Sequence, residues 1–159
     1  MDERKVTVLE IAVQPGLAQS VFNDAHVTSI RPGEDLPDGQ FTVVFLPHTL
    51  VYLERKFVLE FVKAVAEKVE PMGELWLSSP SLEWAAKSIL QGDETPMPLV
   101  ILYGEQEGYR CGLTLLSLRN LAEAAGLVTR KATQNSYTIN FNGKEYDFPQ
   151  NLVIAFRSE

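Results

Sequence analysis

The sequence has few of the residues that build cross-links and metal sites. It holds one cysteine and two histidines among 159 residues. An internal disulfide is therefore excluded, and the wide spacing of Cys111, His26 and His48 matches no metal-site pattern. The low cysteine content fits a reducing compartment, and no secretory signal precedes the first apolar segment. We therefore expect a cytoplasmic protein without a metal.

Long hydrophobic runs and an excess of positive charge are also absent. The longest purely apolar runs are about five residues, against the roughly 20 of a membrane-spanning helix. The 21 acidic residues outnumber the 14 basic ones and give a net charge of −7, whereas binding to a phosphate backbone favours a basic face. We expect partners to include neither a membrane nor nucleic acid. The length fits one domain, residues 1–159.

Apolar segments at strand and helix spacing alternate along most of the chain. The pattern predicts strands at 5–13, 26–30, 41–46 and 74–78, and helices at 16–23, 50–69, 81–91 and 115–125. Residues 99–103 are too short a run for periodicity to decide between strand and helix. The alternation predicts an α/β fold with a mostly parallel sheet and helices on both of its faces.

The C-terminal part has a different pattern, typical of antiparallel strands. Asn142-Gly143 is a strong signal for a two-residue hairpin turn. Pairing across it places Ile139 opposite Tyr146 and Tyr137 opposite Phe148, and a last strand follows at 151–157. Because a projecting hairpin with aromatic side chains on one face often contacts a partner, we expect a protein partner or a homodimer at 136–148.

Four segments resemble, in their order and spacing, the class I S-adenosylmethionine (SAM)-dependent methyltransferases. The first is Glu10-Ile-Ala-Val-Gln-Pro-Gly16, and the second is the stretch 34–53, which includes Glu-Asp-Leu-Pro-Asp-Gly-Gln-Phe. The third is Glu70-Pro-Met-Gly-Glu-Leu75, and the fourth is the stretch 109–126. The resemblance covers residues 6–128 and implies a single Rossmann-like methyltransferase domain with an antiparallel C-terminal hairpin.

The resemblance also assigns candidate cofactor-binding residues. The resemblance implies that the loop at residues 10–16 surrounds the methionine part of SAM. It also implies that the stretch after the second strand lies near the adenosine part. If binding is retained, the residues concerned are Glu10, Ala12, Gln14, Gly16, Glu34 and Asp35. The alternatives are purely structural roles, in which Glu10 caps nearby backbone N–H groups and Asp35 is a turn residue.

Three departures from the family pattern lie on this cofactor-binding side. Ala12 and Gln14 stand where the family has glycines, and an Ala held at positive φ costs about 1 kcal/mol. If 26–30 is the second strand, Ile30 and Arg31 occupy the place of the family's ribose-binding acid, and Glu34, three residues further on, is the residue that could substitute for it. Between Gly16 and Phe41 there is room for only one helix and one strand, so the unit that forms one wall of the adenine pocket is missing. The motif therefore looks degenerate.

Two functions follow from this balance, and the sequence leaves open whether the chain is an enzyme. The preferred hypothesis is a methyltransferase-like domain without cofactor, serving as a structural or protein-interaction module. The alternative is an active SAM-dependent methyltransferase acting on a small molecule or peptide. In that case His48, after a central strand, and Tyr52, one turn later, would be the catalytic candidates, although His48 could equally be a helix-start residue. A dinucleotide-dependent enzyme is the weakest alternative, because Gly-X-Gly-X-X-Gly is absent.

Overall fold

The computed structural model describes residues 4–92, 98–99, 101, 109–141 and 143–159. The strands are β1 (Thr7–Ile11), β2 (His26–Ile30), β3 (Phe41–Leu46), β4 (Val69–Pro80), β5 (Val128–Phe141) and β6 (Lys144–Phe156). The helices are α1 (Leu17–Val21), α2 (Arg55–Ala66), α3 (Leu82–Leu90) and α4 (Leu115–Ala124), with a 3-10 turn at Leu50–Tyr52. No helix among these residues is long and apolar enough to cross a membrane.

One six-stranded sheet, in the order β2-β1-β3-β4-β6-β5, organises the chain. Strands β1 to β4 pair in parallel, and β6 pairs antiparallel with both β4 and β5. The predicted α/β architecture, with a mostly parallel sheet and an antiparallel C-terminal part, is therefore confirmed. The carboxyl ends of β1 to β4 lie at one edge of the sheet, where ligands bind in open α/β folds.

Side chains on the two faces of the sheet form two hydrophobic clusters. Since successive strand residues point to opposite faces, Leu9 and Ile11 of β1 pack with α2 and α4, whereas Val8 packs on the other face with residues of and after α1. The second cluster ends in three edge-to-face aromatic rings, those of Phe22, Phe45 and Trp76. Helices thus cover both faces, as predicted.

The boundary between the long helix and the following strand differs from the prediction. The helix expected over 50–69 is divided into the 3-10 turn and α2, which ends at Ala66, and Val69 already begins β4. The expected helix stop at Pro71 and Gly73 lies inside β4, at a register shift against β3. A Cβ added to Gly73 would lie 2.8 Å from the carbonyl oxygen of Thr42, so close backbone packing requires glycine here.

The hairpin register is as predicted, but its strands are longer. Ile139 pairs with Tyr146, and Tyr137 pairs with Phe148. Strand β5 begins at Val128, and β6 continues through the expected break into the last strand. Because β4 pairs with β6 only from Gln150 onward, residues 137–141 and 144–148 pair with each other beyond the rest of the described sheet. Together with Ser136 and Gly143 they form what we call the ribbon.

Some predictions concern parts of the chain outside the described structure. The side chains of Phe141, Tyr146 and Phe148, on which the expected aromatic face of the hairpin rests, are not among those described. Of the ambiguous run 99–103, only Leu99 and Ile101 are described, and both are helical.

Candidate functional site

A cavity of about 350 Å³ opens at the carboxyl ends of β1 and β3. The loop after β1 and the start of α1 form one wall, and the residues after β3 and the 3-10 turn form another. Tyr109 and the ribbon complete the described lining. The lining residues are Ala12, Val13, Gln14, Leu17, Pro47, His48, Tyr52, Tyr109, Tyr137 and Thr138. Gln14 and Leu17 lie on the wall of this cavity and leave its interior open.

Glu10 organises the loop that borders the cavity. Its side chain is fully buried. One carboxylate oxygen accepts hydrogen bonds from Gly16 N (2.9 Å) and Ser29 Oγ (2.8 Å), and the other accepts one from Ala18 N (2.8 Å). The carboxylate therefore ties the loop and the first turn of α1 to β2, and Glu10 is not among the residues that line the cavity.

The loop after β1 adopts its shape without strain at the two replaced glycines. Gly16 has a positive φ of 133°, whereas Ala12 and Gln14 do not have positive φ values. Ala12 is buried, and its N–H donates to Ile30 O at 3.1 Å. The expected conformational penalty at Ala12 is therefore wrong, because this loop needs the left-handed region only at Gly16.

His48 is held rigidly at the end of β3. Its backbone N–H donates to Ser78 Oγ (3.3 Å), and its ring Nε2 donates to Gln150 Oε1 (2.7 Å). Its φ of 51° is unusual for a residue with a side chain, and such strain concentrates at functional sites. Burial lowers the pKa of His48 to about 4, outweighing the opposing effect of the Gln150 hydrogen bond. The imidazole is therefore neutral at physiological pH.

Aromatic rings from four different parts of the chain meet at the cavity. The ring centroids of His48 and Tyr137 are 4.2 Å apart, and those of Tyr52 and Tyr109 are 5.1 Å apart. The structure thus brings His48 and Tyr52 to one cavity, although Tyr52 lies in the 3-10 turn and not in a continuous helix. Tyr137 is a site residue that no local sequence signal marks, because the pairing of β6 with β4 brings the ribbon to the cavity.

The remaining two candidates lie away from the cavity. Glu34 and Asp35 are exposed in the loop after β2, where Glu34 N donates to Arg31 O at 3.1 Å in a turn. Strand β2 ends the sheet on this side, and its last residue is Ile30, which packs partly against the main core. Among the described residues, no cluster of three or more His, Cys, Asp or Glu side chains could hold a metal ion.

Comparisons with known proteins support the fold. No protein-family model and no curated protein matches the sequence. Among solved structures, the chain is similar to a proposed methyltransferase of Bacillus halodurans, with 12% identity and a TM-score of 0.65 over 97% of this chain and 92% of that one. It is also similar to a SAM-dependent methyltransferase of Methanosarcina mazei, with 12% identity and a TM-score of 0.59 over 96% and 92% of the chains.

A further similar structure contains a ligand. This is the magnesium protoporphyrin IX methyltransferase of Synechocystis with bound S-adenosylhomocysteine (SAH), at 12% identity and a TM-score of 0.55 over 97% of this chain and 75% of that one. At these identities the similarity establishes a methyltransferase-like fold for this chain. Its cofactor binding and its activity have to be argued from its own residues.

Proposed function

We propose that this methyltransferase-like domain does not bind SAM with the affinity of an active enzyme, and that it serves as a structural or protein-interaction module. The observation that carries this proposal is the end of β2. Ile30 stands there in place of an acid that could accept hydrogen bonds from a ribose, and β2 ends the sheet on this side. Glu34 and Asp35, the candidate acids in the loop after β2, are exposed and do not line the cavity.

The hydrogen bonding of the first loop supports the same proposal. Backbone N–H groups at the start of a helix are the usual donors to an anionic or polar cofactor. Here Gly16 N and Ala18 N already donate to Glu10, and α1 has only five residues. Few donors at this position remain for a ligand.

The ribbon is the contact surface that we propose for a protein partner or a second copy of the chain. It extends beyond β4, and among the described residues its strands pair only with each other; a two-stranded ribbon is marginally stable unless another surface covers it. In the described part of the chain, β5 also ends the sheet and has no strand paired to its outer edge, which favours addition of a further strand. Sedimentation velocity over a concentration series tests the homodimer, and a monomer at every concentration would remove that form of the proposal.

An active methyltransferase acting on a small molecule or peptide is the second candidate, and the open cavity favours it. Gln14 and Leu17 line the cavity without filling it, and His48 and Tyr52 also line it. Methyl transfer depends mainly on in-line positioning of donor and acceptor, so a sparse set of catalytic groups is compatible with activity. In this case SAM would be the cofactor, held along the loop from Glu10 to Gly16.

Equilibrium dialysis with methyl-labelled SAM separates the two candidates. We expect no saturable binding up to about 100 µM, which is roughly 10-fold above a dissociation constant of about 10 µM. The variant Ile30→Asp restores a carboxylate at the end of β2 and should strengthen binding, whereas Leu90→Asp, at a residue that is 88% exposed, should not. Saturable micromolar binding by the unaltered protein would refute the proposal.

A further inference from the structure

The described lining of the cavity carries no formal charge. Ten of the described residues line it, and none of them is Asp, Glu, Lys or Arg. His48 is neutral at physiological pH because burial lowers its pKa to about 4. A ligand with a formal charge would lose its hydration here without gaining a charged partner from these residues, which is energetically costly.

The cavity wall is also unusually aromatic. Two ring pairs, His48 with Tyr137 and Tyr52 with Tyr109, contribute to it. Ring edges and faces held 4.5 to 7 Å from a further ring give favourable offset or edge-to-face contacts worth about 0.5–1.5 kcal/mol per pair. A planar aromatic ligand gains most from such a wall.

The polar groups at the cavity suit a neutral ligand. Gln14 and Thr138 add an amide and a hydroxyl to the lining. Burial raises the pKa of the Tyr137 hydroxyl, so this group stays protonated and can donate a hydrogen bond. The volume of about 350 Å³ lies in the lower part of the range of small-molecule sites, which fits a ligand of one or two fused rings.

We propose that this cavity binds an uncharged, planar aromatic small molecule in contact with both ring pairs. The inference goes beyond the proposed function, because it concerns the wall formed by the 3-10 turn, His48 and the ribbon, whereas the proposed loss of SAM binding concerns the end of β2. Either one can therefore fail while the other stands.

Calorimetric titration with two matched probes tests the inference. We expect 2-naphthol, which is neutral at pH 7, to bind with a dissociation constant of about 0.1–1 mM, the range open to a ligand of this size. The anion naphthalene-2-sulfonate, with the same ring system, should bind at least about 10-fold more weakly. Equal affinity for the two probes would overturn the inference.

Two variants locate the binding in the cavity. Leu17→Trp puts a bulkier side chain on the wall of a cavity of about 350 Å³ and takes up space that the ligand needs. Tyr137→Ala removes a ring that the ligand would contact. Each should weaken 2-naphthol binding at least about 5-fold. Leu90→Ala, at an exposed residue outside the cavity, should leave the affinity unchanged. Circular dichroism shows whether each variant is folded. If Tyr137→Ala does not fold, Leu17→Trp still tests the inference.

A parallel titration with SAH distinguishes the two proposals. Absence of 2-naphthol binding, or binding that neither variant weakens, would overturn this inference whatever SAH does. Micromolar SAH binding together with cavity-dependent 2-naphthol binding would refute the proposed function and leave this inference in place.

Discussion

Lowering the pH from 7 to 5 should destabilise the folded protein through His48. The folded-state pKa is about 4, below the ordinary value of about 6.5 that the unfolded chain has. Between these two values the unfolded state binds a proton that the folded state does not. The stabilisation is therefore complete above about pH 6.5, and it is lost progressively as the pH falls toward 4.

The size of the effect follows from the same two values. Proton linkage gives a loss of about 2 kcal/mol in the free energy of unfolding between pH 7 and pH 5, and about 3 kcal/mol by pH 4. The side chain of His48 is only 6% exposed, so solvent screening reduces this figure little.

Urea unfolding at pH 7, 6 and 5 measures the loss, with His48→Asn as the reference variant. Asn tolerates the left-handed backbone at this position and does not titrate in this range. The difference in unfolding free energy between the two proteins should shrink by about 2 kcal/mol from pH 7 to pH 5, while contributions from other groups cancel. A difference that stays constant within about 0.5 kcal/mol would refute the account of His48 as a buried neutral imidazole.

Three further variants test how the loop and the sheet are held. Glu10→Gln should lower the free energy of unfolding by about 2–3 kcal/mol in urea, because the amide cannot accept all three hydrogen bonds of the carboxylate; a loss below about 0.5 kcal/mol would contradict this. Gly73→Ala should lower the free energy of unfolding by about 2 kcal/mol or more, because the added Cβ would lie 2.8 and 2.9 Å from backbone oxygens. In the control Gly112→Ala, the added Cβ meets only a leucine side chain that can move, so the loss should be smaller. Equal decreases in melting temperature in the two variants would contradict this prediction. Thr114→Ala should cost about 1 kcal/mol by removing the hydroxyl that accepts from Ser117 N at the start of α4, and an unchanged urea midpoint would count against that cap.

Short-range signals predicted much of the fold. The turn at Asn142-Gly143 correctly sets the register that pairs Tyr137 with Phe148, because a two-residue turn determines the pairing of the strands that it joins. The apolar strands β1, which contains Glu10, and β3, which ends two residues before His48, also occur where expected. Both are paired on each side in the parallel part of the sheet and are therefore mostly apolar.

Boundaries and the composition of the site depended on long-range contacts. Val69 continues the helical spacing of α2 but begins β4, since pairing with Phe41 overrides the local pattern. The expectation of a strained Ala12 was wrong because the loop reaches its shape through hydrogen bonds to Glu10 and positive φ at Gly16 alone. Tyr137 reaches the cavity only through the packing of the ribbon, which no local sequence signal encodes.

The proposed loss of SAM binding depends on the end of β2, where Ile30 stands in place of an acid that could bind a ribose. The cavity at the neighbouring strand ends is open. Calorimetric titration of the unaltered protein with SAH, which cannot be consumed as a methyl donor, tests the proposed loss most directly. The account predicts no saturable heat at concentrations up to about 100 µM. A one-to-one isotherm with a dissociation constant in the micromolar range would contradict it and favour an active methyltransferase.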